Sequence, residues 1–187
     1  MSHITSLPNQ LTLMRIMLIP VFIVVFYLPF DWAHALAAVI FALASITDWL
    51  DGYLARKLEQ MSPFGAFLDP VADKLLVATS LLLLVGAKDL NYITLPAIII
   101  VGREIVISAL REWMAEIGSR ASVAVSYIGK VKTVMQMIAL VLLLAFHPNT
   151  SWWGVLGFIL LYLSAILTIW SMTVYLMIAW PTLTKKN

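Results

Sequence analysis

Four aspartates stand out in an otherwise apolar chain: Asp48 and Asp51, then Asp69 and Asp73. The first pair is spaced i,i+3 and the second i,i+4, so each pair falls on one face of a helix. Each pair also lies near the end of a long apolar stretch. A carboxylate at the centre of a membrane helix costs about 2.5–3.5 kcal/mol, so such groups are kept for a function. Anions gathered at one depth repel, and a cation relieves them. An all-oxygen ligand set suits Mg2+, Mn2+ or Ca2+. Four carboxylates match the charge of two divalent ions. Two such ions about 3.5–4 Å apart can clamp the attacking and leaving oxygens of an in-line phosphoryl displacement.

The residues around the aspartates fit a phosphate-bearing ligand. Gly52 follows Asp51 and lets a ligand approach the backbone closely. Ala55 keeps that face open, and Arg56 offers a planar fork for phosphate oxygens. Gly65 lies four residues before Asp69 and clears space on the same side. Between the pairs, Ser62 and Pro63 suit an N-cap followed by a first helical position.

A second set of charges is basic. Arg103 precedes Glu104 inside an apolar stretch, and Arg111 lies eight residues on, broadly on the same side. Lys130 and Lys132 open the next apolar stretch. Such a cluster suits the phosphate of a phosphorylated acceptor; a plain polyol would not require it.

These residues need elements to hold them. The chain is 62% hydrophobic and 12% charged, against roughly 45–50% and 25% in soluble domains. A soluble core of this size cannot absorb the excess, which must face lipid. Six stretches approach the roughly 20 apolar residues that span a bilayer: residues 11–28, 33–56, 64–85, 92–113, 123–146 and 152–180. The second and third form a hairpin that brings the two aspartate pairs to one side. The expectation is an all-α membrane protein: one domain over residues 1–187, six transmembrane helices and a short N-terminal interfacial segment over residues 1–10. The turns after the first and fifth stretches carry no Lys or Arg, and the turn after the third carries only Lys88. The other basic residues lie at or towards the opposite side, which by the positive-inside rule puts both termini in the cytoplasm. Residues 16–28 followed by Ala33-His34-Ala35 have the outline of a signal peptide, but no Lys or Arg precedes Arg15, and the segment reads as a first span.

Cysteine is absent, which excludes disulfides, thiolate metal sites and cysteine nucleophiles. A net charge of +2 makes no case for nucleic acid.

The run Asp48-Trp-Leu-Asp51-Gly52-Tyr-Leu-Ala55-Arg56, eight residues, then Gly65-Ala-Phe-Leu-Asp69-Pro-Val-Ala-Asp73 resembles the signature of the CDP-alcohol phosphotransferases, with every fixed position matched. The resemblance implies that the four aspartates bind two divalent cations, Mg2+ or Mn2+, and that Asp73 is also the general base on the acceptor hydroxyl. It implies that Gly52, Arg56 and Ser62 contact the CDP moiety, that CMP leaves, and that the protein is a homodimer. Within the family, Pro8-Asn9-Gln-Leu-Thr12-Leu-Met-Arg15, Arg103-Glu104, Arg111-Glu112-Trp113 and Gly129-Lys130-Val-Lys132-Thr133 are similar to the phosphatidylglycerophosphate synthases. That implies CDP-diacylglycerol and glycerol 3-phosphate as substrates, with Asn9 and Thr12 joining the CDP-lipid set. Arg103, Arg111, Lys130 and Lys132 then hold the acceptor phosphate. A bacterial inner membrane is implied, with the site facing the cytoplasm.

Other readings compete. Phosphatidylglycerol or inositol phosphate could be the acceptor in the same chemistry. A divalent-cation transporter would use the aspartates as a transport site, but Arg56 would repel a bare cation, and the site lies at one face rather than at the midplane. Arg103 with Glu104 could be an internal ion pair, Lys130 and Lys132 positive-inside anchors, and Lys74 a snorkelling side chain.

Overall fold

The computed structural model describes residues 7–57, 63–87, 90–117 and 127–184. Its regular elements are six α-helices and one short 3-10 turn: α1 Leu7–Phe26, α2 Ala33–Lys57, α3 Pro63–Gly86, the turn Asn91–Ile93, α4 Thr94–Glu116, α5 Tyr127–Ala145 and α6 Trp152–Thr184. The described residues contain no strand. Of the expected N-terminal interfacial segment, residues 7–10 form the first turn of α1, while residues 1–6 lie outside the described part.

Proline placement follows helix chemistry. Pro8 and Pro63 sit in first turns, where the missing N–H has no partner to lose. Pro20 and Pro70 are interior. Pro70, having no N–H, removes the rung of the α3 ladder that would run back from residue 70 to the carbonyl of residue 66, in the turn before Asp73. Ser62, expected to cap α3, lies outside the described residues.

The packing order departs from the chain order. Among the described residues α1 packs against both α2 and α3 more extensively than these two pack on each other; α2 packs on α5, α5 on α6, and α4 on α6. The expected α2–α3 hairpin is therefore spanned by α1, which reaches the carboxylates of both helices. The main apolar cluster draws on every helix, with Phe22, Phe41, Leu81, Ile100 and Leu140 fully buried. Phe22 and Phe41 pack tilted at 6.2 Å between ring centroids. A smaller cluster, Ile107, Leu110, Met114 and Tyr175, closes the other end of the α4–α6 contact. Gly154 explains how tightly α6 starts against the preceding turn: a Cβ there would lie 2.6 Å from the His147 carbonyl carbon and the Pro148 nitrogen.

Large apolar side chains face outward as well as inward. Met17, Leu82, Trp170 and Met177 are strongly exposed, while Asn9, Thr12, Arg15, Arg103, Lys132 and Gln136 are buried. Among the described residues, two segments, Asn9–Phe26 and Trp152–Met177, are long and apolar enough to cross a membrane, with mean hydropathies of 1.8 and 2.1.

Candidate active site

α1 is the organiser of the carboxylate end. Arg15, entirely buried, forms an ion pair with Asp48 of α2. One turn earlier, the Thr12 hydroxyl donates to Asp69 Oδ1 of α3 at 2.6 Å. Thr12 and Arg15 are three residues apart and so share a face. Asn9, another turn back, is also buried. The three carboxylates Asp48, Asp69 and Asp73 come close enough for Asp48 to feel the charge of both others. Asp51, Gly52 and Arg56 continue α2 beyond Asp48, but their side chains lie outside the described part, as does Ser62.

Among the described residues no three carboxylate or imidazole groups close on a single point as a finished metal cage. The donor chemistry nevertheless fits a hard divalent cation. The groups are all oxygens, they repel one another, and the charge now facing Asp48 is a guanidinium. Asp48 remains 38% exposed on its other side, so the pair with Arg15 does not use up the carboxylate.

Asp73 points into a different set of neighbours. It lines a cavity of about 170 Å³ together with Lys74, Arg103, Glu104, Arg111, Lys132 and Gln136, closed by Tyr175 of α6. Four helices build it: α3, α4, α5 and α6. Glu104 ties the cations together, its Oε1 accepting from Arg103 Nη1 at 2.9 Å and from Lys132 Nζ at 3.3 Å. The Arg103 guanidinium also lies over the Tyr175 ring, 5.8 Å from its centroid. Lys74 is not simply reaching for the interface; its ammonium donates to the Ser108 hydroxyl, which donates to the Glu104 carbonyl.

Of the four expected acceptor cations, the structure brings Arg103, Arg111 and Lys132 to the cavity. Lys130 is exposed and is not among the lining residues. Two residues apart on a helix point to nearly opposite sides, so Lys130 faces away when Lys132 faces in. Sequence reasoning missed the pairing of Arg15 with Asp48, the bridging role of Glu104 and the presence of Gln136. The signals were present: an Arg inside an apolar first helix, and a Gln one turn after Lys132.

The comparisons with known proteins decide the family. The sequence profile of the CDP-alcohol phosphatidyltransferases matches residues 5–170. The chain belongs to the CDP-alcohol phosphatidyltransferase family. It is 54% identical over 179 residues to the CDP-diacylglycerol–glycerol-3-phosphate 3-phosphatidyltransferase of Pseudomonas fluorescens, covering 95% of this chain and 92% of that one. Proteins of the same name from Salmonella paratyphi A and Yersinia enterocolitica are 56% identical over 171 residues and 54% over 178. Those alignments cover 91% and 95% of this chain, and 93% and 97% of the relatives. The profile takes in both aspartate pairs and every cavity-lining residue of α3, α4 and α5. Membership of this family replaces the transporter reading.

Proposed function

We propose that this phosphatidyltransferase moves the phosphatidyl group of CDP-diacylglycerol to glycerol 3-phosphate, releasing CMP and forming phosphatidylglycerophosphate, an early product of phospholipid synthesis. One observation carries the reading: Asp73 shares a cavity with four cations, Lys74, Arg103, Arg111 and Lys132, of which the last three lie across from it on α4 and α5. A carboxylate meant for an acceptor hydroxyl thus stands beside a site for an acceptor phosphate. The names of the relatives agree.

Asp48, Asp51, Asp69 and Asp73 would hold the divalent cations. Bound there, the cations would neutralise the pyrophosphate of the CDP-lipid, which is where charge builds up on transfer. Gly52, Arg56, Ser62, Asn9 and Thr12 serve the CDP-lipid side. Arg103, Arg111 and Lys132 hold the acceptor phosphate, and Glu104 keeps Arg103 and Lys132 aligned while offsetting part of their charge. Asp73 takes the proton of the acceptor's primary hydroxyl. That oxygen forms a bond to the phosphorus carrying the lipid, the bond from that phosphorus to the CMP oxygen breaks, and CMP leaves with the electron pair. Lys130 is assigned to the interface as a positive-inside anchor.

The chain acts as one membrane domain with six spans, both termini and the site on the cytoplasmic side of the inner membrane. The inverted distribution of polar and apolar side chains supports insertion, since bulky apolar groups face outward while Arg15, Arg103 and Lys132 are inside. Mg2+ as the metal and a homodimer rest on the family resemblance.

The test is turnover by the purified chain in detergent micelles with CDP-diacylglycerol and Mg2+. Glycerol 3-phosphate, inositol 1-phosphate and phosphatidylglycerol are compared as acceptors. Preference for glycerol 3-phosphate is expected; turnover with a rival acceptor alone would overturn the acceptor and keep the chemistry.

A further inference from the structure

Gln136 lies one turn beyond Lys132 on α5 and lines the same cavity as Asp73. It is only 4% exposed, and its Oε1 has no hydrogen-bond partner among the described residues. Buried side-chain amides are normally paired. The donors around the cavity do not reach it: Lys132 Nζ bonds Glu104, the Thr133 hydroxyl bonds the Gly129 carbonyl at 2.9 Å, and Arg103 Nε on the same wall is likewise without a partner. A buried amide oxygen left unpaired on a cavity wall is a place for a ligand's hydrogen-bond donor.

The charges around it narrow that group. Arg103, Arg111 and Lys132 provide for an anion, and Asp73 for the hydroxyl that reacts. An amide is neutral and carries an acceptor and donors on one plane. Its carbonyl repels phosphate oxygens and pairs well with a hydroxyl. An acceptor with a phosphate at one end and the reacting hydroxyl at the other leaves one polar group unserved, the hydroxyl between them. We propose that Gln136 hydrogen-bonds the secondary hydroxyl of the acceptor and selects for acceptors that carry it. This rests on the acceptor reading above and adds a specificity residue to it.

The test pairs two acceptors with two proteins: glycerol 3-phosphate and 3-hydroxypropyl phosphate, which lacks only the secondary hydroxyl, against the wild type and Gln136→Met. Methionine keeps the length and volume but not the amide. The wild type is expected to favour glycerol 3-phosphate in kcat/KM by about tenfold or more, because a site built for a hydroxyl rejects the analogue without it. Gln136→Met is expected to bring the ratio to about threefold or below, mainly by losing activity on glycerol 3-phosphate. A purely structural role would lower both acceptors together and leave the ratio intact, and that result overturns the proposal. So does a wild type that uses both acceptors equally, whether or not the variant folds. If Gln136→Met fails to fold, Gln136→Asn, one methylene short, is expected to lower the ratio, and an unchanged ratio there counts against the assignment. A wild type that ignores both acceptors but uses inositol phosphate overturns the acceptor reading and this inference with it, a pattern distinct from equal use of both.

Discussion

Arg15 of α1 and Asp48 of α2 form an ion pair in which the guanidinium is fully buried and the carboxylate is 38% exposed. The cation is committed to the interior, while the anion keeps an open side. Asp48 is thus held in place by one partner and free to serve another. The same helix fixes Asp69 through Thr12, so α1 sets the geometry of two carboxylates from two different helices.

Replacing Arg15 by Met removes the counter-charge and leaves Asp48 in a confined site. Breaking a fully buried pair costs about 3–5 kcal/mol; the exposure of Asp48 brings the expected loss to about 1–3 kcal/mol. Thermal unfolding in detergent checks it. In EDTA the variant is expected to melt well below the wild type, and Mg2+ is expected to recover more of the loss in the variant than it adds to the wild type. Identical responses to Mg2+ would mean that Asp48 is not shared with a metal.

Lys130 and Lys132 are expected to behave oppositely. Lys132→Ala removes a charged hydrogen-bonding group from the cavity, a loss of about 1.5–3 kcal/mol, or roughly 10–150-fold in the KM for glycerol 3-phosphate. Lys130→Ala is expected to stay within about twofold, since rim and anchor charges contribute little. The two variants are compared at saturating CDP-diacylglycerol. Equal losses would contradict the separation of the two lysines.

Asp73→Asn keeps the shape of the side chain and removes its basicity. General-base catalysis contributes about 10²–10⁴-fold, and kcat is expected to fall by at least that much. Binding of CDP-diacylglycerol, followed by stabilisation against heat, is expected to persist. A variant with near-normal kcat would remove the base assignment.

Gly154→Ala probes the fold and not the site. Its Cβ would meet backbone atoms of His147 and Pro148 at 2.6 Å, which have little freedom to yield. Overpacking of this kind costs about 1–3 kcal/mol. A lowered Tm with unchanged kcat/KM per folded molecule is expected; an unchanged Tm would show that the α5–α6 turn is looser than it looks.

The helices were legible because apolar run length reports them directly, and α2 and α4 fall within a few residues of their expected limits. The order of packing was not, because every helix here is apolar on most faces and periodicity does not say which face meets which neighbour. That is why α2 and α3 read as a simple hairpin and α1 as an ordinary first span. Arg103, Arg111 and Lys132 were legible as one cluster because charge in an apolar helix demands a reason. The motif Gly129-Lys130-Val-Lys132-Thr133 puts Lys130 in the same group, and helical geometry separates it. Glu104 was readable as a partner of Arg103 but not as a bridge to Lys132, because that contact joins two helices.

The most direct measurement follows radiolabelled glycerol 3-phosphate into lipid and CMP into water in one reaction. The purified chain, CDP-diacylglycerol and Mg2+ are combined in micelles, then treated with EDTA, then given Mg2+ in excess. The expected result is one CMP for each labelled lipid, arrest on chelation and recovery on restoring the metal. CMP released without labelled lipid, or labelled lipid formed undiminished in EDTA, would contradict a metal-assisted transfer to glycerol 3-phosphate.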